Sequence, residues 1–231
     1  MATRPHLNIL MLQEVAKGLG ELRDKVVFVG GAVTGLYIND PHAYPVTVSD
    51  DVDCVVEVTG RIEYSKIEKR LGQLGFKRPL DDDDIRIICR WQYNGITVDV
   101  MPTDETILGF TNRWYKEAMR EKVTVTLPNS TSISIFSLPY FIATKLEAFK
   151  GRGRSYDWRS SQDLEDIVDV LGGCKEVETH LAAAPKHLKK YLRAEFSVLL
   201  EKRDDLMETI FGFLRDRGDH VLPVIDRIVG L

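Results

Sequence analysis

Two carboxylates, Asp51 and Asp53, stand two positions apart at the head of the run Asp51-Val52-Asp53-Cys54-Val55-Val56 in this 231-residue chain. The apolar residues that follow read as a strand, in which successive side chains alternate between faces. Asp51 and Asp53 then share one face, with Val52, Cys54 and Val56 on the other. Two like charges on one strand face repel each other unless a cation neutralises them. A hard divalent cation such as Mg²⁺ takes oxygen ligands, commonly one or two carboxylates together with substrate phosphates. Upstream, Val26-Val27-Phe28-Val29 feeds into Gly30-Gly31, and a helix-compatible stretch spans 32–39. Paired glycines let a backbone pass close to a phosphate, and the N-terminus of a following helix favours its charge. Either feature alone is also what a tight turn or a solvated acidic loop would show. In this order, between two strand patterns, they point to chemistry on a phosphate.

Four further charged residues stand at positions that invite a reading. Asn94-Gly95 separates the strand-like runs 85–93 and 96–101, a strong hairpin signal. In the second run Ile96, Val98 and Val100 form an apolar face, so Asp99 lies opposite, with Thr97 and Met101. A carboxylate in such a strand is expensive to bury without a partner. Lys145 falls at the edge of a helical stripe formed by Leu138, Ile142, Leu146 and Phe149, with Arg152 two turns on. A lysine there either snorkels to water or reaches an anion such as a nucleotide phosphate. Asp163 opens the helical run 162–171, where the helix dipole by itself favours a carboxylate.

The elements that must position these residues follow from periodicity. Helices are expected over 6–22, 61–76 (stopped by Gly75) and 111–121, and strands over 122–127 and 132–136, around Pro128-Asn129-Ser130. Ser137-Leu138-Pro139 opens a helix, and no strand pattern follows it. The fold class is therefore α+β, a mixed sheet flanked by helices in 1–136 and an all-helical domain in 137–231. Asp81-Asp82-Asp83-Asp84 reads as a solvated loop, since like-charge blocks repel. The basic helical stretch 186–193 reads as a solvated helix face.

Composition narrows the classes. With 44% hydrophobic and 29% charged residues the chain is ordinary for a soluble globular protein. A net charge of −4 excludes a generic polyanion binder, so any RNA contact must come from a local patch, with Lys150, Arg152, Arg154 and Arg159 the candidates. Cys54, Cys89 and Cys174 are scattered without a CxxC pair, which argues against a zinc or disulfide framework and for a reducing compartment. The absence of a leader, a membrane-spanning run or a lipidation motif makes the cytoplasm the expected location, with no membrane partner.

Gly30-Gly31 followed by Asp51-Val52-Asp53 resembles the DNA polymerase beta-like nucleotidyltransferase superfamily, with a longer gap between the halves, placed as an insertion around 39–48. The runs 138–152 and 162–171, carrying Lys145, Arg152, Asp163 and Asp166, resemble its AbiEii/AbiGii-type toxin branch, which includes mycobacterial toxins that add nucleotides to tRNA 3′ ends. The resemblance implies a nucleotidyltransferase-type sheet and a helical domain completing the nucleotide and acceptor site. It implies Asp51, Asp53 and Asp99 as catalytic metal ligands for Mg²⁺ or Mn²⁺, and Gly30, Gly31, Lys145 and Arg152 as nucleotide-binding. Asp163 would position Lys145 or the base. The substrate would be a nucleoside triphosphate, the acceptor tRNA or another RNA, and a cognate antitoxin the protein partner. Two other readings remain open: transfer to a small hydroxylated molecule such as an aminoglycoside, and a catalytically silent nucleotide-binding module.

Overall fold

Leu12, Val15, Ala16 and Leu19 recur at helical spacing, and helix α1 (Leu7–Leu19) buries all four. A 3₁₀ turn over Gly20–Lys25 takes up the end of the expected 6–22 helix and delivers the chain to strand β1 (Val26–Val29), whose four residues are all buried. The computed structural model describes residues 6–79, 88–152, 158–215 and 218–230. The chain divides into two compact units, one of residues 1–33 and 47–136, the other of residues 34–46 and 137–231.

The first unit is built on a six-stranded mixed sheet in the order β3-β4-β2-β1-β6-β5. Its remaining strands are β2 (Asp51–Val56), β3 (Arg90–Tyr93), β4 (Ile96–Pro102), β5 (Lys122–Thr126) and β6 (Ser132–Phe136). The β1–β6 and β2–β4 pairs are parallel, and the other three are antiparallel. Between β2 and β3 runs helix α2 (Arg61–Gln73), which buries Tyr64, Ile67 and Leu71. The phenol of Tyr64 donates to the Val100 carbonyl at 2.7 Å, tying α2 to the sheet. Asn94 and Gly95 both take positive φ, 47° and 79°, the two-residue hairpin geometry that Asn-Gly favours. Strand β3 begins at Arg90; the first part of the expected 85–93 strand and the Asp81–Asp84 run lie outside the described residues. The expected helix over 111–121 is a single turn, α4 (Tyr115–Ala118), preceded by another short one, α3 (Glu105–Leu108). Asn112 accounts for the late start, because its side chain accepts from the Trp114 N–H and holds a turn there.

The second unit is helical, with α5 (Leu138–Gly151), α6 (Gln162–Gly173), α7 (Val177–Ala182), α8 (Lys186–Leu200), α9 (Arg203–Leu214) and α10 (Val221–Gly230). Phe141, Ile142, Leu146 and Phe149 of α5 are buried, as are Leu164, Ile167, Val168 and Leu171 of α6. Segment 34–46, expected to belong to the catalytic half, is part of this unit. The Asn39 and Asp40 N–H groups both donate to the Gly173 carbonyl, at 3.1 and 3.0 Å. Ile38 packs so closely on Gly173 that a Cβ there would lie 2.7 Å from its Cγ2, so the Gly172-Gly173 end of α6 receives this segment. Among the described residues no helix is long and apolar enough to cross a membrane.

Candidate metal centre

Strand register, rather than proximity in the chain, assembles the charged cluster of the first unit. In the parallel β2–β4 pair Asp53 stands opposite Asp99, and in the antiparallel β3–β4 pair Arg90 stands opposite Asp99. Residues paired across a sheet share a face, so Arg90, Asp99 and Asp53 form a row over three strands, and Asp51 lies on the same face two positions before Asp53. Val52, Cys54, Val98 and Val100 face the other way and are fully buried. The apolar alternation therefore fixes which face the acids take, because a one-residue slip would bury them and expose the valines.

Oxygen atoms from Asp51, Asp53 and Asp99 all lie within 4.8 Å of one another. Two oxygens on opposite sides of a cation are about 4.2 Å apart for Mg²⁺ and about 4.8 Å for Ca²⁺, so this spacing suits one shared hard cation. Asp99 is buried and only 8% exposed, which makes it the acid most in need of a partner. Arg90 answers that need. Its Nε donates to Asp99 Oδ1 at 2.9 Å and its Nη2 to Oδ2 at 2.7 Å, and Nη2 also lies 3.5 Å from Asp51 Oδ2. The two bonds to Asp99 hold the Arg90 proton well above the ordinary arginine range. On the opposite face burial, reinforced by Asp53 and Asp99, pushes the Cys54 thiol well up. Burial and then Asp99 push Cys89 up to about 11. Both remain thiols at neutral pH, and thiols are poor ligands and poor nucleophiles.

Gly30 serves this cluster in a way the sequence does not announce. Its φ is +74°, and a Cβ built there would lie 2.0 Å from Asp53 Oδ2. The glycine thus makes room for the carboxylate of the neighbouring strand. Gly31 opens a six-residue 3₁₀ turn, Gly31–Leu36, in place of the expected helix over 32–39. Such a turn is too short to build a useful dipole, so no helix N-terminus backs the expected phosphate cradle.

The second unit holds a separate ionic cluster. Lys145 Nζ lies 2.5 Å from Asp166 Oδ2 and 3.4 Å from Asp163 Oδ1, and Arg152 Nη1 lies 3.3 Å from Asp163 Oδ2. Thr34 Oγ1 donates to Asp166 Oδ1 at 2.7 Å. Lys145 does not snorkel to water; it meets two carboxylates on α6. Asp163 is more than a dipole-favoured surface acid, being 2% exposed and set between two cations just inside the α6 cap, where Ser161 Oγ accepts from the Leu164 N–H. Among the proposed RNA contacts, Lys150 pairs with Glu195 at 2.7 Å and Arg159 pairs with Glu208, while Arg154 lies outside the described residues.

The structure thus brings Asp51, Asp53, Asp99 and Gly30 together in one unit, and Lys145, Arg152 and Asp163 together in the other. Arg90 and Thr34 are additions that sequence reasoning missed. Arg90 was findable: in a hairpin with a two-residue Asn94-Gly95 turn, counting back from the turn pairs residue 90 with residue 99. Thr34 carried no signal, since its contact depends on where segment 34–46 packs. No protein-family model matches the chain, and no curated protein matches it.

Proposed function

We propose that this chain is a metal-dependent nucleotidyltransferase. More narrowly, we read it as an enzyme of the AbiEii/AbiGii toxin kind, moving a nucleoside monophosphate from a nucleoside triphosphate to a tRNA 3′ hydroxyl. The observation that carries the reading is the meeting of Asp51, Asp53 and Asp99 on one sheet face, beside a glycine that leaves room for Asp53. Asp51, Asp53 and Asp99 would hold the cation, Mg²⁺ or Mn²⁺. A divalent cation bound there would neutralise triphosphate charge and lower the pKa of the acceptor hydroxyl. In the reaction the hydroxyl oxygen bonds to the α-phosphorus, the bond to pyrophosphate breaks, and the hydroxyl proton is released. This chemistry is mostly positioning and charge stabilisation, and it needs no nucleophilic side chain. The raised thiols of Cys54 and Cys89 are consistent with that. Lys145 and Arg152 take the phosphate-binding roles that the resemblance implies, with Asp163 holding both in place.

The test is incubation of the protein with each labelled nucleoside triphosphate, with and without total tRNA, alongside Asp51→Asn and Asp99→Asn variants. Label transferred to tRNA by the parent and by neither variant is the expected result. Label found only on small hydroxylated acceptors such as aminoglycosides would replace the acceptor but keep the class. Absence of transfer to any acceptor, or equal transfer by the variants, would overturn the class.

A further inference from the structure

Arg90 is bonded to Asp99 and faces Asp51, two of the three acids that a divalent cation would share. Both oxygens of Asp99 are gripped by its guanidinium, and the same Nη2 reaches toward Asp51 on the next strand. A doubly charged ion shared by Asp51, Asp53 and Asp99 would lie within a few ångströms of that guanidinium, in a part-buried site where like charges repel strongly. One of the two cations must yield. Asp99 cannot move away, because β4 is an interior strand with Val98 and Val100 locked on its opposite face. Arg90 can, because it is the first residue of the edge strand β3 and its long side chain is 31% exposed.

We propose, on the footing of the metal-dependent reading, that Arg90 is the resident countercation of the site: it neutralises Asp99 and Asp51 while no metal is bound, and it must release Asp99 before Asp99 can ligate a divalent cation. Arg90 therefore lowers metal affinity and stabilises the metal-free protein. It is a positioning residue that sets the cation concentration at which the site fills.

The test uses the full chain, Mn²⁺ and no nucleotide. Free Mn²⁺ is counted by electron paramagnetic resonance for the parent, Arg90→Gln, Arg90→Lys and Asp51→Asn. Removing a bidentate charge-assisted pair that competes with the ion should tighten binding on the order of tenfold in Arg90→Gln. Arg90→Lys, whose point charge cannot grip both oxygens, should fall between Arg90→Gln and the parent. Thermal denaturation should show Arg90→Gln melting below the parent without metal and gaining more from Mn²⁺. Should Arg90→Gln fold poorly, tighter binding by Arg90→Lys supports the countercation role in its place. Equal or weaker binding in both Arg90 variants, with Asp51→Asn weaker than the parent, would overturn the countercation role and leave the metal site standing. Absence of Mn²⁺ binding to every variant at millimolar concentration would overturn both.

Discussion

Replacing Gly30 by alanine separates two costs that the structure places on one residue. The first is backbone strain: φ at Gly30 is +74°, a region that costs an L-residue with a Cβ about 1–2 kcal/mol. The second is a collision, since the new methyl would lie 2.0 Å from Asp53 Oδ2. Overpacking of this kind costs about 1–3 kcal/mol where neighbours can adjust. Here the adjustment is a rotation of Asp53 away from Asp51 and Asp99 or a local parting of β1 from β2. Gly109 provides the control, with φ +80° and nothing within 4 Å of a built Cβ. Gly109→Ala should therefore lose about 1–2 kcal/mol, and Gly30→Ala about 2–5 kcal/mol, by urea denaturation. Only Gly30→Ala should also weaken Mn²⁺ binding. Matching losses in the two variants, or a Gly30→Ala protein that binds Mn²⁺ like the parent, would show that Gly30 does not shape the site.

Lys145→Met should destabilise the protein by about 3 kcal/mol, because it leaves the buried Asp163 and the half-buried Asp166 short of a cation. Adding Asp166→Asn should recover part of the loss, and a double-mutant cycle followed by thermal denaturation measures the coupling; simple additivity would refute the pairing. Asp169 supplies a pH dependence. Burial first, then Glu165 and Asp166, raises its carboxyl to about 7 in the folded chain. The folded protein thus binds a proton that the unfolded chain releases near pH 4, so this contribution is present below about pH 4 and fades as pH rises toward 7. Asp169→Asn should therefore stabilise the protein at pH 8 by about 1–2 kcal/mol, after discounting for partial exposure, and change little at pH 4. A stability difference between parent and variant that does not vary with pH would contradict that assignment.

Much of this architecture was legible because period-two alternation is a strong signal in half-buried strands. Val52, Cys54, Val98 and Val100 mark the apolar face so clearly that the placement of Asp51, Asp53 and Asp99 on the other face follows from residue types alone. Asn94-Gly95 fixed the hairpin for a similar reason, since few residue pairs accept two consecutive positive φ values. What the sequence could not supply was long-range pairing. That β2 lies beside β4 in parallel, with Asp53 level with Asp99, depends on a crossover through α2, which no local pattern encodes. The short elements differ from expectation because capping and turn bonds decide them. Gly31–Leu36 and Tyr115–Ala118 have apolar spacing that suits a helix but lack the length to sustain one. Segment 34–46 joins the helical unit rather than the expected half because its partner is the end of α6, more than a hundred residues away.

The two ionic clusters look alike in composition yet differ in what they can accept. On α5 and α6 two carboxylates, Asp163 and Asp166, are matched by two cations, Lys145 and Arg152, and the deeper acid lies between both. Each carboxylate there already has a cation against it. On the sheet, three carboxylates converge and β3 brings the Arg90 guanidinium against Asp99. Packing Asp53 and Asp99 side by side on adjacent strands would be a poor way to stabilise a sheet, since like charges directly opposite destabilise it. Arg90 relieves part of that repulsion, gripping Asp99 with two bonds and reaching toward Asp51. Three carboxylates within reach of one ion, on a face where their mutual repulsion is costly, are what suit the first unit to a divalent cation.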